Sequence, residues 1–192
     1  ANKETKDCTI TQIMDDEDGV IWIATNAGIY KVNGFNFQTE HIQKDATSTS
    51  SLTSNHICSL YKDDAGIIWI GTGREGVCYQ QLNKLTFKTY PINTEEDITC
   101  IFQDYHNNIW LGTDGKGLIK WNFGKGTTVY NNTNCNLGSN FIISSFSDQM
   151  GNVWLGTYKQ GIFLLNNNRF FPFLYPNTSI TNSPINHVKK II

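Results

Sequence analysis

A short segment that occurs four times is the feature of this sequence that most restricts its fold. The copies read DEDGVIWIATNAG, DDAGIIWIGTGREG, DYHNNIWLGTDGKG and DQMGNVWLGTYKQG. The tryptophans are 47, 41 and 44 residues apart, and a period in this range indicates a repeat architecture. An Asp six residues before the Trp and a Thr three residues after it are the same in every copy: Asp16, Trp22, Thr25; Asp63, Trp69, Thr72; Asp104, Trp110, Thr113; and Asp148, Trp154, Thr157.

Each copy begins with the sequence of a tight turn. Its Asp can accept hydrogen bonds from the backbone that follows. Three residues later every copy has a residue that tolerates a left-handed backbone, namely Gly19, Gly66, Asn107 or Gly151. The segment therefore predicts a turn that leads into the strand containing the Trp.

The residues around this turn have the composition of short β-strands. Apolar segments precede it (ITQIM, ICSLY, ITCIF, IISSF), and third and fourth strand-like segments follow the Trp (for example GIYKV and then FNFQT). Helical periodicity is absent from the sequence. Four short antiparallel strands per repeat predict an all-β chain in which each repeat is one blade of a β-propeller.

The repeats place four four-stranded antiparallel blades at about residues 8–40, 55–90, 97–131 and 140–175. Residues 183–192, SPINHVKKII, are similar to the start of the second blade and are interpreted as the first strand of a fifth. We therefore predict a single partial propeller, or propeller fragment, over residues 1–192. Exposed sheet edges associate, so the expected partner is the remainder of a propeller or a second copy of the chain.

Large aromatic rings at the same place in each blade are expected to pack between neighbouring blades. The Gly or Ala two residues after each Trp would make room for the next sheet. Trp121 lies outside the motif; packing is favoured, and a partly exposed contact role stays open. Cys58 and Cys100 lie in strand-like segments and are interpreted as small buried hydrophobic residues.

Composition excludes several classes of function. Fifteen basic and 17 acidic residues give a net charge of −2, which argues against unselective binding of nucleic acid. No apolar run approaches the roughly 18 residues of a membrane span, and the first residues do not resemble a signal peptide. We expect contact with a membrane only through segments downstream of this chain.

The sequence contains no recognisable site for a metal, a cofactor or catalysis. Its five cysteines include no C-x-x-C pair, and the acidic cluster at residues 15–18 fits no calcium loop. Its four histidines lie in no motif that marks a nucleophile: His41, His56, His106 and His187. We therefore expect no metal, no cofactor, no catalytic residue and no enzyme.

The pattern D-x-x-G-x-I/V-W-I/L-G-T-x-x-x-G resembles the two-component regulator propeller repeat, over about Thr9 to Ile192. AGIYKVNGFNF and SLTSNHI resemble the first and second blades of that family. The resemblance implies the N-terminal part of the periplasmic sensor region of a hybrid two-component system histidine kinase. It also implies an oligosaccharide as the ligand, and a membrane helix and kinase further along the protein.

Candidate ligand-binding residues come from the loops between second and third strands, which share one end of the blade with the linkers. These loops vary most between copies and contain Arg74, Glu75, Asp114, Lys116, Tyr158 and Lys159. Arg74, Lys116 and Lys159 are interpreted as equivalent cations that could bind carboxylates or sulfates, and Tyr158 as a residue that could stack on a sugar. The alternative is that all six are ordinary solvated loop residues.

Two other functions stay open at this point. One is a protein-interaction scaffold without a small ligand, as in other propellers. The other is a propeller lyase, because active residues of propeller enzymes converge from several blades and leave no local motif. The favoured interpretation is a ligand-binding signal-transduction module.

Overall fold

The computed structural model describes residues 8–16, 18–81, 86–90, 92, 95–122, 126–148 and 150–173. In these ranges the regular structure is entirely β, with sixteen strands in four four-stranded antiparallel sheets. This confirms the predicted fold class of four-stranded blades. The predicted first strand of a fifth blade, residues 183–192, lies outside the described residues. No helix in the described part of the chain is long and apolar enough to cross a bilayer.

The chain divides into two compact units, of which the first comprises residues 1–97. Its first sheet contains β1 (Ile10–Asp15), β2 (Val20–Thr25), β3 (Gly28–Asn33) and β4 (Thr39–Ile42). Its second sheet contains β5 (Ile57–Lys62), β6 (Ile68–Thr72), β7 (Val77–Gln80) and β8 (Phe87–Tyr90). In both sheets each strand pairs with the next along the chain, so the connections are short.

The second unit, residues 98–192, repeats this arrangement. Its first sheet contains β9 (Ile98–Gln103), β10 (Ile109–Thr113), β11 (Leu118–Asn122) and β12 (Gly126–Tyr130). Its second sheet contains β13 (Ile142–Ser147), β14 (Val153–Thr157), β15 (Gly161–Asn166) and β16 (Arg169–Pro172). That residues 1–192 form one partial propeller stays a prediction.

Two of the repeated tryptophans show how neighbouring sheets pack within a unit. Trp22 of β2 belongs to a buried cluster with Leu52 of the linker and Ile57 of β5, the first strand of the second sheet. Trp110 of β10 belongs to a cluster with Ile142 and other residues of the following sheet. Burial of side chains of this size contributes roughly 1.5–3 kcal/mol each. The expected packing between sheets is confirmed for these two rings.

Two further packing predictions are confirmed in the second unit. A Cβ atom on Gly112 would overlap Cys100 Sγ and lie 2.9 Å from Ile142 Cγ2, so this glycine makes room for the next sheet. Trp121 is only 1% exposed and is therefore a packing residue. Cys100 packs against the core cluster, as expected, whereas Cys58 is only half-buried.

The fourth strand of the first sheet begins later in the chain than the sequence pattern predicts. FNFQT was expected to form it, but β4 begins at Thr39 and the preceding residues form a turn. The Asn33 side chain accepts hydrogen bonds from the backbone N–H of Phe35 and Asn36, which bends the chain. Phe37 has φ +57°, and Phe35 and Phe37 are consequently exposed rather than part of a strand.

Each first strand contains a β-bulge at the same position. The bulged residues, which the pairing register skips, are Thr11, Cys58, Thr99 and Ile143. The Thr11 hydroxyl donates to the carbonyl of Ile57 at 2.7 Å, and the Thr99 hydroxyl donates to that of Ile142 at 2.6 Å. A bulge redirects a side chain, and here the two threonines use it to join neighbouring sheets within a unit.

Candidate functional site

The invariant Asp and Trp of the repeat form one hydrogen-bonded pair in every sheet. The indole Nε1 donates to carboxylate Oδ2 at 2.8–3.0 Å: Trp22 to Asp16, Trp69 to Asp63, Trp110 to Asp104 and Trp154 to Asp148. Oδ1 of the same Asp accepts from backbone N–H groups of the turn, as in Asp104 with His106 and Asn108. The left-handed residues of these turns have φ between +60° and +80°, as predicted: Gly19, Gly66, Asn107 and Gly151.

These hydrogen bonds stabilise the ionised carboxylates. Donation from Trp154 and Asn152 lowers the pKa of Asp148 from 3.8 to about 2. Burial alone would raise the pKa of Asp104, but donation from Trp110, Asn108 and His106 outweighs it, so the net shift is downward. Asp104 and Asp148 are therefore charged structural acceptors.

The invariant Thr closes the loop between the second and third strands. Its hydroxyl donates at 2.7–2.8 Å to the carbonyl of the glycine that ends the loop: Thr25 to Gly28, Thr72 to Gly76, Thr113 to Gly117 and Thr157 to Gly161. This bond confines the variable residues to a short, tight loop. The repeat therefore presents a few different side chains from the same rigid position in each sheet.

These loops lie beside the linkers, as the sequence predicted. In the first unit, the N–H of Gly28 donates to the carbonyl of Asn55 at 2.7 Å. In the second unit, the N–H of Gly117 donates to Asn140 at 2.8 Å and that of Tyr158 to Phe141 at 2.9 Å. Loop and linker side chains can therefore act on the same ligand within each unit.

In the first unit the candidates are Arg74 and Glu75, both exposed in the β6–β7 loop. Arg74 has φ +63°, and the N–H of the preceding Gly73 donates to the carbonyl of His56 at 2.9 Å. A Cβ atom on Gly73 would overlap the His56 ring, so that ring lies directly against the loop. The structure thus adds His56 to the neighbourhood of Arg74.

In the second unit three residues distant in sequence meet at one end of the sheets. Asp114 forms an isolated antiparallel bridge with Phe141, and the rings of Phe141 and Tyr158 have centroids 6.1 Å apart. The Nζ atom of Lys159 lies 4.9 Å from the centroid of the Tyr158 ring. Phe141 is 45% exposed and Tyr158 is 38% exposed. We call Asp114, Phe141, Tyr158 and Lys159 the ring cluster.

The three cations are not equivalent, which corrects the sequence interpretation. Arg74, Gly115 and Lys159 share the left-handed position of the loop, with φ of +63°, +127° and +63°. Lys116 is one residue further along, is half-buried, and donates its N–H to the Thr113 hydroxyl at 3.0 Å. Counting from the Trp agrees with the structure, since Arg74 and Lys159 are five residues after theirs and Lys116 is six residues after Trp110.

Sequence reasoning missed Phe141 because it lies in a linker rather than in a repeated segment. The position before the first Ile of each first strand is Thr9, His56, Asp97 or Phe141. This position is as variable as the loops, and its variability is the signal that could have identified it. The structure explains this variability, because the backbone carbonyl at this position accepts a hydrogen bond from the loop in both units.

A cleft of about 480 Å³ lies at the opposite end of the strands of the second unit. Its walls include the β9–β10, β13–β14 and β15–β16 turns, with Tyr105, His106, Asn152 and Asn168. Lys120 Nζ lies 4.8 Å from the Trp110 ring centroid and donates to Asn168 Oδ1 at 3.2 Å. This cleft was not predicted from the sequence, and its walls make it a second candidate for a ligand site in this unit.

Comparison with known proteins identifies the repeat. A model of the two component regulator propeller matches residues 6–27, 51–74 and 94–115. No curated protein is significantly similar in sequence.

Solved structures agree with the fold, and two of them are extracellular domains assigned to hybrid two component systems. The extracellular domain assigned to the hybrid two component system BT4673 of B. thetaiotaomicron is 27% identical over 81% of this chain and 21% of that one, with a TM-score of 0.67. The corresponding domain assigned to BT3049 is 24% identical over 89% and 23%, with a TM-score of 0.71. Virginiamycin B lyase from Staphylococcus aureus, in an inactive H270A form, is 14% identical over 92% and 59%, with a TM-score of 0.66. The chain thus spans less than a quarter of the length of these two extracellular domains, and the likeness to the lyase shows the fold alone.

Proposed function

Because three segments of this chain match the two component regulator propeller, we propose that the chain is the N-terminal part of the periplasmic sensor region of a hybrid two component system histidine kinase. The likeness to extracellular domains of such systems supports this proposal. Binding of a ligand would alter the arrangement of the sensor region and so reach the kinase, which would lie in a part of the protein outside this chain. The chain itself would carry no catalytic residue.

The proposed ligand is an oligosaccharide, and the observation that carries this step is the ring cluster. Two partly exposed aromatic rings offer apolar faces of the kind on which a sugar ring packs. Asp114, whose backbone pairs with that of Phe141, supplies a carboxylate that accepts hydrogen bonds from hydroxyl groups. Lys159, whose Nζ atom lies near the Tyr158 ring, supplies an ammonium that donates them. An apolar surface with a few convergent polar groups is the composition of a ligand site.

The remaining candidates would extend this specificity. Arg74 is an exposed guanidinium on a rigid loop, and guanidinium pairs with carboxylate or sulfate in a bidentate geometry. Arg74 in the first unit and Lys159 in the second would each favour an acidic sugar group over a neutral one. Glu75 and Lys116 would contribute hydrogen bonds from the same loops.

Calorimetric titration of the whole sensor region with size-fractionated neutral and acidic oligosaccharides tests this proposal. We expect Tyr158→Ala to weaken binding about fivefold or more, since stacking on an aromatic ring contributes of the order of 1 kcal/mol. The matched control is Tyr105→Ala, an exposed tyrosine in the cleft at the other end of the same unit. Loss of binding in Tyr105→Ala with none in Tyr158→Ala would place the ligand in the cleft, and binding of no oligosaccharide would contradict the proposal.

A protein-interaction scaffold is the second candidate, and exposed aromatic side chains favour it. Phe35 and Phe37 are 85% and 76% exposed on the β3–β4 turn. Exposed apolar surface of this kind marks contact sites between proteins. If the partner is a second copy of the chain, sedimentation will show a dimer that Phe35→Ser/Phe37→Ser converts to a monomer. A monomer at all concentrations would contradict self-association.

A further inference from the structure

Three side chains with different metal-binding atoms meet in the first unit. They are His56, Cys58 and Asp97, and their ligand atoms all lie within 4.8 Å of one another. His56 Nε2 and Cys58 Sγ are 4.0 Å apart. In a tetrahedral zinc site with bond lengths of about 2.0–2.3 Å, neighbouring ligand atoms are about 3.5 Å apart. Small side-chain rotations would therefore bring the three atoms to coordination distance.

The backbone of the second sheet explains why these atoms meet. Cys58 is the bulged residue of β5, and its Sγ atom lies on the same side as the ring of His56 two residues earlier. The corresponding bulged residues Thr11 and Thr99 are threonines that donate to a backbone carbonyl. The second repeat thus has a thiol, that of Cys58, where two of the other three repeats have a threonine hydroxyl. This thiol lies beside the His56 imidazole.

The His56 ring is held in an orientation that suits coordination. Its backbone N–H donates to the Ser54 hydroxyl at 3.2 Å, and its Nδ1 side lies against Gly73, where a Cβ atom would overlap it. Nε2 consequently faces Cys58. His56 is exposed and Cys58 and Asp97 are half-buried, so an ion can reach all three from solvent.

From this geometry we propose that His56, Cys58 and Asp97 bind a divalent transition-metal ion, with zinc as the best fit. One imidazole nitrogen, one thiolate and one carboxylate oxygen form a donor set that suits zinc, and a water molecule would complete the tetrahedron. The thiol proton leaves to solvent when the Cys58–metal bond forms. The ion would connect the strand that opens the second sheet to the segment that follows β8, and so hold the two chain ends of that sheet together.

Titration of the full chain with Co²⁺ alone tests the site directly, because a cobalt–thiolate bond gives a near-ultraviolet charge-transfer band. We expect this band to saturate at one equivalent and to disappear when one equivalent of Zn²⁺ is added. Cys58→Thr should abolish the band, and His56→Gln and Asp97→Asn should weaken binding about tenfold or more. The first and third repeats already have a threonine at this position, Thr11 and Thr99, so we expect Cys58→Thr to fold.

The matched controls are Cys8→Ser, an exposed cysteine outside the cluster, and His106→Gln, an exposed histidine in the second unit. Both should bind Co²⁺ as the unchanged chain does. A thermal melt gives a second readout: Zn²⁺ should raise the melting temperature of the chain and of both controls but leave Cys58→Thr unchanged. Absence of the band, or a band that survives in Cys58→Thr, would overturn the proposal. If Cys58→Thr fails to fold, His56→Gln and Asp97→Asn decide the question.

Discussion

Asp63 and Trp69 show at the level of single residues why the repeat needs both side chains. The Asp63 side chain is 7% exposed and the Trp69 side chain is fully buried, yet both carry polar atoms. Burying such atoms is costly unless they pair, and here the indole Nε1 donates to carboxylate Oδ2 at 2.8 Å while Oδ1 accepts from the N–H of Ile67. The aspartate therefore accepts hydrogen bonds from the turn backbone and from a core side chain at the same time.

Replacement of this carboxylate should destabilise the protein. Asp63→Asn presents an amide that cannot accept hydrogen bonds on both sides, and a buried donor or acceptor without a partner costs about 1–3 kcal/mol. We expect a loss of that size in the free energy of unfolding, measured by urea denaturation. Asp64→Asn, at the exposed neighbouring position, is the control and should change it by less than about 0.5 kcal/mol. Equal effects of the two substitutions would contradict the pairing.

Asp148 gives the same motif a dependence on pH. Its pKa is about 2 in the folded protein and 3.8 for the ordinary side chain, so its contribution to stability is fully present above pH 3.8. That contribution is lost as the pH falls through 3.8 towards 2. We expect Asp148→Asn to be less stable than the unchanged protein at pH 6 and to lose less further stability on acidification. Parallel pH profiles for the two proteins, measured by urea denaturation from pH 2 to 6, would show the expectation to be wrong.

At the level of the strand, the close contact between the two sheets of the second unit depends on a glycine, Gly112. Gly112 of β10 lies against Cys100 of β9 and Ile142 of β13. Any added atom must displace one of them, and excess volume in a packed core costs about 1–3 kcal/mol. The second unit therefore depends on this glycine for the approach of its two sheets.

Gly112→Ala is expected to reduce the free energy of unfolding by about 1–3 kcal/mol, because the new methyl overlaps Cys100 Sγ. Cys100→Ala removes that sulfur atom, so the double variant should lose less stability than the sum of the two single changes. A double-mutant cycle in urea measures this coupling. If the effects of the two single substitutions simply add, the new methyl group does not overlap Cys100.

The strands could largely be predicted from the sequence because turn and core signals agree within each repeat. The start of β4 could not, since the alternating Phe35 and Phe37 resemble a strand while the Asn33 side chain imposes a turn. Loop candidates such as Tyr158 could be named from their variability alone. Phe141 and the group of His56, Cys58 and Asp97 could not, because only the folded backbone brings residues so distant in sequence together.

At the level of the whole molecule, the last described sheet differs from the others in how its Trp is covered. Trp22, Trp69 and Trp110 are at most 3% exposed, whereas Trp154 is half-buried, with Phe173 edge-on at 5.0 Å. In the first sheet of each unit the equivalent ring packs against the following sheet. In the proposed longer sensor region, a further blade would cover Trp154 in the same way.

Acrylamide quenching of tryptophan fluorescence can measure this difference. Trp154→Phe should lower the quenching constant of the chain, because it removes the most accessible of the four repeated indoles, while Trp69→Phe should not. In the whole sensor region the effect of Trp154→Phe should vanish. If Trp154 stays equally accessible there, no further blade packs on this sheet.

The hydrogen bonds of the invariant residues have a consequence for how such a chain can change over generations. Asp binds Trp six residues later, and Thr binds a glycine three or four residues later, so both partners of each bond are encoded within one short stretch of DNA. A duplication or exchange of that stretch carries a complete set of donors and acceptors with it. The number of repeats can therefore differ between genes, while the few loop codons outside these bonds are free to change.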